Sequence, residues 1–418
     1  MQFEFVEDQG QKAARIKVIG IGGAGNNAIN NMIATGLSRV GFIAANTDLQ
    51  ALEISSAPRK LQLGADLTKG LGCGANPERG REAAFENQQQ IQDFLKDSDM
   101  VFITAGMGGG TGTGGAPVVA ELLSQLEHPP LTVAVVTKPF HFEGKKRLRQ
   151  AEEGIKRLRQ YADTIIVIPN NRLIAMAPRG CGLKEAFKMA DDVLLQAVKG
   201  VSDLILVPGL INLDFADAQT VMAQKGMALM GTGLASGPER ATIAAEKAIS
   251  SPLLDEISIK GAQGILINIC CAEDSIALDE VDAACTFIQK EAHEDATVIF
   301  GVAWDNTLGD NLRITVIATG ISERGREAQH TDVGDLPLRP RRLPTLEEVN
   351  QDAREQYTRP TAERRGDGPS AFGPPSPKRL AEEGVIGRKR MRMHDLESIF
   401  AGDTEELERP AFMRRQAD

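Results

Sequence analysis

Between Ala14 and Pro169, short apolar runs alternate with amphipathic stretches: ARIKVIG, GFIAANT, DMVFITAG, LTVAVVT and TIIVIP are each bounded by polar or glycine-rich segments. Such runs read as strands and the longer stretches between them as crossover helices, so the pattern predicts a parallel α/β sheet. From Leu183 to Val207 the period changes. Phe187, Ala190, Leu194, Val198, Val201 and Ile205 recur every three or four residues, which predicts one long helix ended by Pro208-Gly209. Beyond it the pattern predicts a helix opening at DFADAQTVMAQKG, a helix near Pro238 to Ile249, the run GILINICC, a helix near Leu278 to Ala292, and then ATVIFGVAW and NLRITVIATG. The last of these alternates apolar and polar residues, as in a sheet with one exposed face.

This reading divides the chain into a flexible N-terminus (1–13), a first α/β domain (14–182), a central helix (183–208) and a smaller α/β domain (209–320). After Gly320 the composition shifts. Nine of the 20 prolines lie in the last 98 residues, among charge-rich segments such as RPRRLP, and residues 321–395 read as a disordered linker. Scattered apolar residues return over 396–418 (Leu396, Ile399, Phe400, Phe412, Met413), as in a peptide that orders on a partner or in a tail with incidental apolar residues.

Length and composition agree with two packed domains and a tail. The chain has 418 residues, is 42% hydrophobic but only 4% aromatic, and carries 42 glycines, which suits an α/β protein with tight turns. A net charge of -10 argues against a general nucleic-acid binder. The five cysteines (Cys73, Cys181, Cys270, Cys271, Cys285) have neither CxxC nor paired His spacing and read as small buried residues of a cytosolic protein. The start, MQFEFVEDQGQ, lacks a secretory pattern, and no apolar run reaches membrane-spanning length, so a cytoplasmic protein is expected.

Two glycine-rich turns carry the candidate chemistry. GIGGAGNN after ARIKVI places Gly20, Gly22 and Gly25 as G-x-G-x-x-G, with Asp48 roughly where a ribose-binding acid would lie. Alone, that turn is compatible with an NAD-dependent oxidoreductase or with a tight turn that binds nothing. The second turn, GGGTGTGG from Gly108 to Gly115, lies between a strand pattern and the helical face of Val118, Val119, Leu122, Leu123 and Leu126. It is not framed as a linker. Nor is it a Walker loop, because no lysine occurs between Lys96 and Lys138. Glycines let successive backbone N–H groups converge on an anion, a helix N-terminus adds a favourable dipole, and Thr111 and Thr113 can donate hydroxyls, so the turn reads as a triphosphate cradle without a lysine.

AGMGGGTGTGGAPVVAELL closely resembles the signature of the tubulin/FtsZ GTPase family. The resemblance extends over nearly all of Ala14 to Gly320, through GIGGAGNNAINNMI, AANTDLQAL, TKGLGCGANPERGREAA, the segment around His141, and GLINLDFADAQTVM. It implies a Rossmann-like parallel-sheet GTPase domain and a smaller C-terminal GTPase-activating domain joined by a long central helix. It also implies that Gly22, Gly23, Ala24, Gly25, Asn26 and Asn27 line the GTP phosphates together with Gly108, Gly109, Gly110, Thr111, Gly112, Thr113 and Gly114. Ala75 and Asn76 would approach the γ-phosphate, and Asn46 and Asp48 would belong to the pocket. Glu143 and Arg147 match a pair at the ribose and phosphates, although their spacing alone reads as an i,i+4 ion pair.

Phe187 and Asp191 share a helix face, one to stack on a base and the other to accept from the N1–H and N2–H₂ donors of guanine, with Asn170 assisting. Without the resemblance, they read as one buried Phe and one solvated Asp. Asp214 and Asp217 read on spacing alone as an N-cap and a first-turn acid. The resemblance makes them, with Asn212, the catalytic acids that polarise water at the nucleotide of the next subunit, so that the chain polymerises head to tail into the division ring at midcell. Mg²⁺ would neutralise the phosphates. LERPAFMRRQAD resembles the family peptide that binds membrane tethers such as FtsA, but departs from it at Arg409 and Met413, and any membrane contact would be indirect. The basic run Arg388 to Arg392 reads as a solvated charge cluster. An oxidoreductase and a non-hydrolysing structural relative are the competing readings.

Overall fold

A computed structural model describes residues 14–321, apart from 179, 208, 212, 225, 255–260 and 274. The expected N-terminal segment, the linker beyond residue 321, the C-terminal peptide with Arg409 and Met413, and the catalytic candidate Asn212 lie outside the described residues.

The first half is a regular strand–helix alternation: β1 (Ile16–Ile21), α1 (Gly22–Ala34), β2 (Gly41–Asn46), α2 (Leu49–Glu53), β3 (Arg59–Gln62), α3 (Ala65–Thr68), α4 (Pro77–Glu86), α5 (Gln88–Leu95), β4 (Met100–Gly106), α6 (Thr111–Ser124), β5 (Leu131–Lys138), α7 (Lys145–Leu158), β6 (Thr164–Pro169) and α8 (Asn170–Met176). Then come the 24-residue α9 (Leu183–Leu206), β7 (Gly209–Ile211), α10 (Phe215–Met222), β8 (Gly226–Ala235), α11 (Arg240–Ile249), β9 (Gly264–Cys271), α12 (Leu278–Glu291), β10 (Thr297–Trp304) and β11 (Leu312–Ile321). The strands form one sheet in the order β3-β2-β1-β4-β5-β6-β8-β11-β9-β10-β7, parallel from β3 to β8.

The central parallel strands β1, β4, β5 and β6 are mostly apolar because helices cover both faces. On β1, Val18 packs into a core shared with Ala28 of α1 and Leu194 of α9, while its neighbour Ile19 packs into another with Val119 of α6. Successive side chains of a strand point to opposite faces, so both must be apolar. A third core lies between β8, β9 and β11 and the helices α11 and α12.

Two features differ from the sequence expectation. β11 has no exposed face: it lies between β8 and β9, and its polar positions Thr315 and Thr319 are buried. The Thr319 hydroxyl donates to the carbonyl of Val221 at 2.9 Å, and Thr315 lies against Gly200 of α9, so helices cover the face that its alternation assigned to water. β8, unforeseen in GMALMGTGLA, joins the two halves by pairing with β6 in parallel and with β11 antiparallel. Its glycines disguise it. A Cβ on Gly231 or Gly233 would lie 2.0 Å from the carbonyl oxygen of Ala248 or Ala244, so their absence of side chain lets α11 lie on the strand.

Helix α9 is tied to the second half by polar groups as well. Asp305 accepts from Lys199 and from Arg313, each at 2.8 Å, and the Asn268 amide donates to the Gly200 carbonyl at 3.0 Å. Of the cysteines, Cys73, Cys270, Cys271 and Cys285 are buried, as expected, whereas Cys181 is only partly covered.

Candidate functional site

β1 and β4 are parallel neighbours, with Ile21 opposite Ala105, and both glycine turns leave the sheet at this same edge to open α1 and α6. The turns touch. A Cβ on Gly22 (φ +74°) would lie 3.0 Å from the backbone nitrogen of Gly112 and 3.3 Å from Cβ of Thr111. Gly25 is closed against the carbonyl of Thr104, Gly112 against that of Gly106, and Gly114 against that of Pro77, so these glycines are demanded by packing. Gly23 and Gly109 are different: a Cβ at either would meet nothing within 4 Å. Neither has a positive φ, so the protein's own structure does not require glycine there. Neither α1 nor α6 has a side-chain cap. Their first N–H groups are therefore orphan donors beside open space, an arrangement suited to an anion.

Side chains beneath the turns hold them together. With its amide oriented to satisfy both ends, buried Asn26 donates to the carbonyls of Gly20 at 3.0 Å and Gly22 at 3.3 Å and accepts from Asn46 at 3.2 Å. Asn46 in turn accepts from the N–H of Thr47 at 2.9 Å and of Asp48 at 3.3 Å. The Asp48 carboxylate accepts from the N–H of Ala51 at 3.3 Å, capping α2. Thr113 is buried and accepts from the Gly108 N–H at 2.8 Å, so its hydroxyl shapes the loop. Thr111 is half-buried and hydrogen-bonded to the hydroxyl of Thr47 at 2.6 Å. Ala24 and Asn27 are exposed at the rim.

The segment with Ala75 and Asn76 closes on the second turn from the side. A Cβ on Gly110 would lie 2.7 Å from Cβ of Cys73 and 3.0 Å from the nitrogen of Asn76, and one on Gly80 would lie 2.3 Å from the Gly110 carbonyl. Ala75 has φ +57°, following Gly72 and Gly74 at +78° and +58°, and Asn76 caps α4 by accepting from Glu78 N–H at 3.0 Å.

Glu143 and Arg147 form an ion pair at 2.6 Å, and Glu143 also accepts from the Phe140 N–H at 2.9 Å. The i,i+4 geometry read from their spacing is therefore present, with Arg147 exposed. On α9 the Phe187 ring is 41% exposed and meets Phe140 edge-on at 5.4 Å. Asp191 is half-buried; burial, and secondarily the charge of Asp192, push its carboxyl up to about 7. Asn170 is buried with its side-chain oxygen unpartnered. Groups so placed gain from a partner rich in N–H donors.

Asp214 occupies the N-cap position of α10 with extended backbone, yet its carboxylate makes no capping bond. Asp214 and Asp217 are both exposed. Among the described residues no group of three or more His, Cys, Asp or Glu side chains could hold a metal ion, and no helix is long and apolar enough to cross a membrane. Sequence reasoning missed Thr47, Cys73 and Gly80. Thr47 lay inside the quoted AANTDLQAL, but nothing in that string signals a contact with Thr111, 64 residues away.

A lysine-free double glycine cradle on a Rossmann-like sheet, with a long helix passing beside it, is the architecture of a tubulin-type GTPase. Residues 15–178 match the GTPase domain of the Tubulin/FtsZ family, and residues 226–322 match the C-terminal domain of the FtsZ family. The chain belongs to the tubulin/FtsZ family and is a GTPase. It is 45% identical to "Cell division protein FtsZ" of Azotobacter vinelandii over 421 residues, covering 100% of both chains. It is 51% identical to the protein of that name from Wolbachia sp over 329 residues, covering 76% of this chain and 82% of the relative. A solved structure described as an empty FtsZ dimer from M. jannaschii is 45% identical with a TM-score of 0.72, covering 75% of this chain and 90% of that one. The oxidoreductase reading is thereby set aside. The glycine fingerprint that suggested it is one half of a two-turn site.

Proposed function

We propose that this chain is a cell-division GTPase that assembles head to tail and hydrolyses GTP between subunits. The observation that carries the reading is the separation of its two functional ends. Leu213 N–H bonds to the Leu204 carbonyl at 3.3 Å, which anchors the Asp214 segment beside the last turn of α9. Asp191 lies 13 residues earlier on the same helix, about 20 Å away at the usual rise per residue. In this reading Asp214 and Asp217 serve the nucleotide of a neighbouring copy, and uncapped exposed carboxylates fit a site completed by that copy.

Residues 14–182 bind GTP, α9 spaces the two ends, and residues 209–320 present the activating acids. Gly23 and Gly109 leave room for phosphate oxygens at the starts of α1 and α6, Phe187 packs on the base, and Asp191 with Asn170 reads its edge. Asp214 and Asp217 of one copy orient and polarise the attacking water at the next copy's terminal phosphate, the positioning that phosphoryl transfer mainly requires. Mg²⁺ suits this donor set when carried on the phosphates, where it would offset their charge. The relatives' names support the division role, and the dimer described for the M. jannaschii protein supports self-association. Contacts that repeat without closing would make a filament. Recruitment to a membrane by a tether such as FtsA would fall to residues 396–418.

GTP turnover measured with sedimentation across protein concentration tests this. Turnover per subunit should rise with concentration as polymer appears. Constant specific activity at all dilutions, without sedimentable polymer, would overturn the mechanism.

A further inference from the structure

Beneath the cradle, three side chains from three separate segments form a line. Thr47 follows β2, Cys73 lies in the segment before α4, and Thr111 opens α6. Thr47 is fully buried, and its hydroxyl oxygen has two partners among the described residues: the Cys73 thiol at 3.4 Å and the Thr111 hydroxyl at 2.6 Å. Sulfur is a weak acceptor, so the better acceptor for the single Thr47 proton is the Thr111 oxygen. Once Thr111 accepts from Thr47, its own proton has no acceptor among the described residues. The Thr111 side chain stands 3.3 Å from where a Cβ on Gly22 would be, between the two glycine turns. That leaves the Thr111 proton available to an anion held between the turns.

We infer that Thr47 is a positioning residue for the GTPase reaction: a directed relay, Cys73 S–H to Thr47 O–H to Thr111 O–H, fixes Thr111 as a hydrogen-bond donor to the terminal phosphate. This rests on the proposed assignment of the cradle to the GTP phosphates. Each bond polarises the next, and a donor aimed at a charged phosphate is worth more than one between neutral groups. Without Thr47, the Thr111 hydroxyl is free to rotate its proton away. The contacts of Cys73 and Gly110 carry the relay into the segment ending in Ala75 and Asn76, so binding at the terminal phosphate and the position of that segment are joined through Thr47.

The test is nucleotide affinity by calorimetry in the full chain, comparing Thr47→Val, which keeps the shape and deletes the hydroxyl, with Thr47→Ser, which restores it. Thr47→Val should bind GTP roughly tenfold more weakly while GDP affinity changes by less than about threefold, and Thr47→Ser should recover GTP binding. Equal losses for both nucleotides, or a Thr47→Ser variant as weak as Thr47→Val, would assign Thr47 a merely structural role and overturn the relay. Gly109→Val separates this from the underlying assignment. If it binds GTP normally while folding normally, the cradle reading fails. If it loses GTP while Thr47→Val matches the native protein, only the relay fails.

Discussion

Gly22 and Gly112 meet where the two glycine turns touch: a Cβ on the first would lie 3.0 Å from the backbone nitrogen of the second. Gly22 also holds φ +74°, where an L side chain is strained. Gly22→Ala should therefore destabilise the fold by roughly 1–3 kcal/mol and weaken nucleotide binding together. Gly23→Ala should leave stability nearly unchanged, because a Cβ there meets nothing within 4 Å, yet reduce GTP affinity by crowding the phosphates. Thermal unfolding paired with nucleotide titration distinguishes them.

Asp191 provides a pH signature. Its carboxyl is pushed up to about 7, first by burial and then by Asp192, whereas only the ionised form offers both oxygens as acceptors to the two guanine donors. Below pH 7 binding must expel a proton, so affinity should fall by up to about tenfold per pH unit and level off above pH 8. Asp191→Asn retains a carbonyl acceptor and should flatten the profile. Calorimetric titration of GDP between pH 5.5 and 8.5 in both proteins would read this directly.

Asp203 bears on stability instead. Burial raises its carboxyl from 3.8 to about 6 against the opposing pull of Lys199 and Arg313. A raised folded value means that the neutral acid is favoured in the fold. Its contribution is fully present below about pH 4 and is lost as pH rises through 6. Asp203→Asn should therefore be neutral near pH 4 and more stable than the native chain by about 2–3 kcal/mol at pH 8. Lys199 keeps a partner in Asp305 at 2.8 Å, so the substitution leaves no stranded charge. Urea unfolding at the two pH values measures the difference.

Asp214→Ala should bind GTP with native affinity and lose most of its turnover, since the acid makes no capping bond to lose. Mixing it with Gly109→Val, which keeps the acids but has a crowded cradle, should restore part of the activity as native acids meet native cradles. A mixture no more active than its components would place the acids and the nucleotide in one chain.

Much of the fold was legible because its signals are local. TIIVIP and GILINICC coincide with β6 and β9, and the three-to-four spacing from Phe187 to Ile205 marked α9 to within a residue of its end. β8 escaped because the glycines that allow α11 to lie on it also erase its strand pattern. β11 reads in sequence as a half-exposed strand because a threonine that bonds to a carbonyl under a helix looks like one facing water. At the site, the glycine turns were plain, but Thr47 and Cys73 were not, since their partners are brought to them by folding.

Sequence alone determined the class of sheet, the two glycine turns, the missing lysine and the position of the acids after the long helix, because each depends on residue type and spacing along the chain. Tertiary structure decided which glycines are required by packing and which leave room for a ligand. It decided that the Asp214 carboxylate makes no capping bond and that Leu213 is tied to the last turn of α9. Steric closeness, burial and the direction of a hydroxyl proton depend on segments far apart in the chain, and they acquire values only when the sheet brings those segments together.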